Sequence, residues 1–93
     1  MIPTDTDQFI KAALQPFSPR LVVVFGSMAR GEETASSDLD IGVMLESPLT
    51  VEQRQAMIKA LAGALGRSVD LVDLNRVGEP LLGRILKEGR RLL

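Results

Sequence analysis

Residues 21 to 25, Leu-Val-Val-Val-Phe, offer no polar side chain to either face of an extended chain. A strand of that kind needs cover on both sides, which places it centrally in a sheet flanked by helices. Gly26 and Ser27 break the run, and after ten intervening residues a second extended stretch opens as Asp38-Leu39-Asp40 and continues Ile-Gly-Val-Met-Leu. Like charges this close repel, so two carboxylates at the mouth of a strand need a chemical reason.

Around these strands the chain reads as alternating helices and strands. Ile10, Ala13, Leu14 and Phe17 follow helical spacing and predict a helix over residues 6 to 16, capped by Thr4 or Thr6 and stopped by Pro16 and Pro19. Ser27 to Gly31 reads as one short helical turn, and residues 32 to 37 as a polar loop. Leu39 to Leu45 form the second strand, closed by Pro48. Thr50 and Gln53 have the form of a capping box opening a helix from Val51 to Leu65, with a core stripe of Val51, Ile58, Leu61 and Leu65 and Gly66 as its stop. Residues 68 to 74 predict a third strand and residues 75 to 79 a turn. Pro80, at a first helical position, starts a helix through Leu81, Leu82, Ile85 and Leu86 that Gly89 ends, and residues 90 to 93 read as a short edge strand. The fold class is α/β (α+β), a small sheet flanked by helices, in a single domain over residues 1–93, a length suited to one core.

Composition removes several kinds of function. Eleven Lys and Arg against 12 Asp and Glu leave a net charge of -1, without the basic footprint of a protein that binds nucleic-acid backbones. Arg84, Lys87, Arg90 and Arg91 do cluster, and cations at a helix end explain that better than a phosphate patch. No apolar run is long enough to span a membrane and no secretory signal is visible, so the cytoplasm is the expected compartment. With no His and no Cys, zinc sites and His- or Cys-based nucleophilic catalysis are excluded, and metal chemistry must run on oxygen ligands. Phe9, Phe17 and Phe25 are the only aromatic residues and read as core.

Strand residues i and i+2 share a face, so Asp38 and Asp40 project together while Leu39, Ile41 and Val43 point into the core. A divalent cation reverses the repulsion and favours both ionised carboxylates, and Mg²⁺ suits oxygen ligands completed by substrate phosphates. Gly26 allows close backbone approach, and the helix start at Ser27 supplies N–H groups and a hydroxyl for those phosphates. Arg30, one turn on, could meet a phosphate or pair with Glu32 or Glu33. Ser37, beside the first acid, is counted with the nucleotide-binding residues.

Gly26-Ser27, the Ala29-Arg30-Gly31 that follows, and Asp38-Leu39-Asp40 after the ten-residue spacing resemble the signature of the polymerase-beta-type nucleotidyltransferases, in particular the minimal nucleotidyltransferase (MNT) family. The resemblance implies a mixed sheet with flanking helices, two Mg²⁺ ions, a third strand-borne Asp, and transfer of a nucleoside monophosphate, most often AMP from ATP, onto an acceptor. Of the two acids in the third strand, which alternate onto opposite faces, Asp70 matches the family position; an acid there, between Val69 and Leu71, is costly without a role. Asp73, near the strand end, reads as a solvated or capping residue. The implied site is Asp38, Asp40 and Asp70 as metal ligands, Asp70 also accepting the proton of the acceptor hydroxyl.

Members of the MNT family are commonly paired with a small helical HEPN-domain toxin and act as its antitoxin by adenylylating a tyrosine on it. This chain has no Tyr, so a tyrosine acceptor has to come from a partner. The competing reading is a nucleotide-binding or stoichiometric antitoxin module with weak or no turnover. Transfer to a small molecule fits less well, because a chain of 93 residues lacks room for a separate substrate domain. The sequence does not choose the nucleobase and leaves homo-oligomerisation open.

Overall fold

A computed structural model describes residues 4–25 and 39–92. Helix α1 (Thr4–Leu14) runs into a 3-10 turn (Gln15–Phe17), followed by β1 (Leu21–Phe25), β2 (Leu39–Met44), α2 (Val51–Leu65), β3 (Val69–Asp73), α3 (Leu81–Glu88) and β4 (Arg90–Arg91). The described strands form one sheet in the order β3-β2-β1-β4. β1 is antiparallel to both β2 and β4, and β2 is parallel to β3, so the sheet is mixed. β1 is internal with Val22, Val23 and Val24 buried, as its unbroken apolar sequence requires.

Alternation along the strands divides the core in two. Val22 and Val24 of β1, Leu39, Ile41 and Val43 of β2 and Leu71 of β3 point to one face, where Ile10 and Leu14 of α1 and Met57 and Leu61 of α2 close over them. Full burial of a side chain such as Met57 or Leu61 contributes about 1.5–3 kcal/mol. On the opposite face Val23, Leu74 and Ile85 form a smaller cluster, with Leu21, Phe25, Met44, Val72, Val77 and Leu82 packed around it. Among the described residues no helix is long and apolar enough to cross a membrane.

Several boundaries differ from the sequence reading for local reasons. α1 already includes both Thr4 and Thr6, which removes both residues as its cap. It ends at Leu14 because Pro16 has no N–H to continue the α ladder, and the chain tightens into the 3-10 turn before Ser18 turns left-handed at φ 53°. The box at α2 forms as read: Gln53 N–H donates to Thr50 Oγ1 and Thr50 N–H to Gln53 Oε1, both at 3.0 Å, and Gly66 ends the helix at φ 66°. Of its expected core stripe, Leu61 is buried and Ile58 and Leu65 pack against the core, but Val51 is 71% exposed and Met57 is the other buried helix position. Leu49, one residue ahead of the cap, takes the core place at that end. Pro80 caps α3 rather than occupying its first turn. Phe9, expected in the core, is 52% exposed on α1, whereas Phe17 and Phe25 pack as expected.

Candidate active site

The short turn at residues 27–31, the loop at 32–37, and Gly26, Ser27, Arg30, Ser37 and Asp38 lie outside the described residues. The strands that flank them frame the site. β1 delivers the chain to Phe25, and β2 picks it up at Leu39 on the neighbouring strand, with Phe25 and Asp40 as Cα partners. The sequence between them therefore leaves and re-enters at the same end of the sheet.

Asp40 sits second in β2. Leu39 and Ile41 on either side of it are fully buried against α1 and α2, which forces Asp40 onto the opposite face. Asp70 sits second in β3, and Leu71 beside it is buried in the same helix-covered core. Register completes the arrangement: Asp40 and Asp70 are Cα partners in the parallel pair. Parallel neighbours lie about 4.8 Å apart, so the two carboxylates stand side by side on one face. Asp40 is half-buried and Asp70 exposed, which leaves the row open to a ligand from solvent. Among the described residues no group of three potential ligands gathers, so the row supplies two acids, with Asp38 two residues before Asp40 in sequence.

Asp73 does something else. It lies on the helix-covered face and is only 5% exposed, so the solvated reading of it fails and the capping one holds. Its Oδ2 accepts the Leu49 N–H at 2.8 Å and its Oδ1 the Asn75 N–H at 3.0 Å, the second closing a local turn. Arg76 Nε adds an ion pair at 3.4 Å, and Asn75 Nδ2 donates to the Leu45 carbonyl at 2.9 Å. An acid this committed to backbone donors ties the exit of β2 to the exit of β3. A cleft of about 220 Å³ opens beside it, lined by Leu49, Thr50, Val51, Arg54, Asp73 and Arg76. That cleft is at the far end of β3 from Asp70, and the acid in its wall is already occupied.

The basic residues near the C-terminus separate as well. Lys87 lies in the last turn of α3, where a cation is favourable, and Arg84 pairs with Glu88 at 3.9 Å. Arg90 instead reaches α1, where its Nη2 meets Asp7 Oδ1 at 2.6 Å. No sequence signal pointed to that pair, which spans 83 positions.

With the acid row in place, comparison with known proteins identifies its setting. Residues 8–93 match the family described as polymerase beta, nucleotidyltransferase. The chain belongs to that family. Two Methanocaldococcus jannaschii relatives provisionally named protein adenylyltransferases are similar to this nucleotidyltransferase domain: one is 27% identical over 78 residues, 84% of this chain and 80% of the relative, and the other 32% identical over 75 residues, 77% and 74%. Among solved structures, a toxin–antitoxin crystal structure with AMP-PNP superposes with a TM-score of 0.84 at 30% identity, covering 94% of this chain and 72% of the other. A Shewanella oneidensis complex of a tri-AMPylated HEPN toxin with an MNT antitoxin gives 0.78 at 27% identity over 97% and 71%. The nucleotidyltransferase fold expected from the motif is thus the fold observed, down to the mixed sheet and the short last strand.

Proposed function

We propose that this nucleotidyltransferase moves AMP from ATP onto a hydroxyl of a partner protein, a tyrosine of a HEPN-type toxin, and thereby acts as its antitoxin. The observation that carries the reading is the pairing of Asp40 with Asp70 on one open face at the end of the sheet where Gly26 and Ser27 follow β1. Support for the acceptor comes from the AMPylated toxin seen with an MNT antitoxin of the same fold, and support for the nucleotide from the complex with AMP-PNP.

Two adjacent carboxylates with one side open fit a hard divalent cation, which takes oxygen ligands and retains water for exchange with phosphate. Asp38, Asp40 and Asp70 would hold two Mg²⁺, which supply charge neutralisation at the attacking and leaving oxygens. Gly26, Ser27, Arg30 and Ser37 would bind the triphosphate and orient its α-phosphorus. The acceptor oxygen forms its bond to that phosphorus as the bond to the bridging oxygen breaks and pyrophosphate departs. Asp70, the more exposed of the paired acids, takes the hydroxyl proton.

The test is the intact mass of a HEPN-type partner after incubation with this chain, ATP and Mg²⁺. The expected result is a gain of one or more AMP units, absent with Asp40→Asn. No gain with any nucleoside triphosphate, together with full neutralisation of the partner by both wild type and Asp40→Asn, would establish a stoichiometric binding module instead.

A further inference from the structure

β3 lies at one end of the sheet, and among the described residues no strand pairs with its outer edge. Edge strands are usually blunted by proline, lysine or a bulge. β3 contains neither residue, and its register with β2 is unbroken from Val69 to Asp73. Its main-chain groups divide by position. The Ser68 carbonyl accepts the Leu39 N–H at 3.0 Å and the Leu74 N–H donates to the Val43 carbonyl at 2.9 Å, so the even-numbered residues from 68 to 74 turn their main-chain groups toward β2. The N–H and C=O of Val69 and Leu71 therefore point to the outer edge, one residue to either side of Asp70.

A pairing edge thus runs directly beside the acid row. An antiparallel strand bonded to Val69 and Leu71 sets one residue opposite Asp70, in a pair without hydrogen bonds, where Cα atoms are about 4.5 Å apart and side chains come closest. That residue projects on the face of Asp70 and extends the row of Asp40 and Asp70 by one place. A seryl hydroxyl there stands level with the carboxylates. A tyrosyl hydroxyl, at the far end of its ring, reaches above them, on the solvent side from which a ligand meets the row. We propose that the acceptor segment of the partner protein docks on the outer edge of β3 as an added antiparallel strand, with its tyrosine opposite Asp70. This docking mode rests on the reading of the chain as a protein adenylyltransferase and states how the acceptor is held: main-chain bonds fix the segment, and strand register fixes the hydroxyl.

Amide exchange of the whole chain followed by NMR, with and without the HEPN-type partner and in the absence of ATP, reads docking apart from chemistry. The Val69 and Leu71 N–H groups are expected to exchange readily in the isolated chain and to slow by about tenfold or more in the complex, while the Leu74 N–H, already bonded to Val43, changes little. Val69→Pro removes one outward donor and no bond to β2, at the first position of the strand, where proline is tolerated. Against Val69→Ala, which trims the same side chain but keeps the N–H, it is expected to lower kcat/KM for AMP transfer to the partner by about tenfold, with stabilisation by Mg²⁺-ATP unchanged. If the proline variant does not fold, the exchange measurement decides alone. Unslowed exchange at Val69 and Leu71 in a complex that transfers AMP, or equal transfer by the alanine and proline variants, overturns the docking mode. Slowed exchange in a complex that gains no AMP from Mg²⁺-ATP overturns the transfer reading instead, a distinct outcome.

Discussion

The two ends of β3 each carry an acid, and the two acids are used in opposite ways. At the end where the strand begins, Asp70 faces solvent beside Asp40 and has a second carboxylate as its cross-strand neighbour. At the end where it finishes, Asp73 is buried and accepts two backbone N–H groups. The first arrangement sets two like charges side by side on an open face; the second is satisfied by backbone donors within the chain. A shift of three positions along a strand changes the face, and the face decides whether an acid meets solvent or braces the backbone. An open acid and a braced one are thereby separated by the length of one short strand.

Exchanging the acids one at a time is the most direct way to break this contrast. Asp70→Asn is expected to lower AMP transfer by about 10³-fold or more, equivalent to about 4 kcal/mol of barrier, with the melting temperature of the metal-free chain unchanged or raised. Single-turnover assays beside a thermal melt would show it. An inactive Asp73→Asn with an active Asp70→Asn would reverse the assignment of the two ends.

Asp73→Asn is expected to act on stability. An amide can present its oxygen to only one of the two backbone donors and turns an N–H group toward the other, so the loss should be about 2–3 kcal/mol in urea unfolding. Transfer rates measured well below the melting temperature should stay within a few-fold of wild type. A large rate loss in a stably folded variant would show that the braced end reaches the chemistry.

Between the two ends, Gly42 of β2 sharpens the comparison. A Cβ at this position would lie 2.9 Å from Leu74 Cδ2, the side chain that folds across the strand just past Asp73. Gly42→Ala is expected to cost about 1–2 kcal/mol, because the end of the Leu74 side chain can yield where backbone could not. Denaturant unfolding would measure it, and no loss at all would mean that Leu74 packs more loosely than described. The smallest effect belongs to Val51. It is exposed beside the braced end, and Val51→Ser should change stability by no more than about 0.5 kcal/mol.

Local signals carried much of this fold into the sequence. The all-apolar β1, the Thr50–Gln53 box and the glycine after α2 each act over a few residues, and each formed where the sequence placed it. The opposite orientation of Asp70 and Asp73 followed from strand period alone. Partners outside the local window were harder to see. Val51 fits the helical period of its stripe, yet Leu49 takes the core place, a choice made by the path of the loop into the helix. Phe9 is apolar and aromatic, and only the placement of α1 on the sheet decides that its side is the uncovered one. Asp73 reads as a terminal residue because its donors, Leu49 N–H above all, are 24 positions away or belong to the backbone. Of the candidate site, the acids at 40 and 70 were legible as types and faces, while their direct opposition is a matter of strand register that the two segments do not reveal separately.

The last strand has a consequence for how the chain is made. β4 pairs with β1, the Leu92 N–H donates to the Val22 carbonyl at 2.8 Å, and Arg90 reaches back to Asp7. During synthesis β1 therefore leaves the ribosome some sixty-five residues before β4, its partner on that edge. At about 5–20 residues per second that interval lasts several seconds, long enough for a nascent, strongly apolar strand edge to meet another chain. Helices α1 and α2 can collapse onto the β1–β2 pair before then, so the helix-covered core forms first and the outer edge is sealed last. Residues 90–92 work as a latch on β1, and removing them would expose newly made protein to aggregation before it altered the acid row.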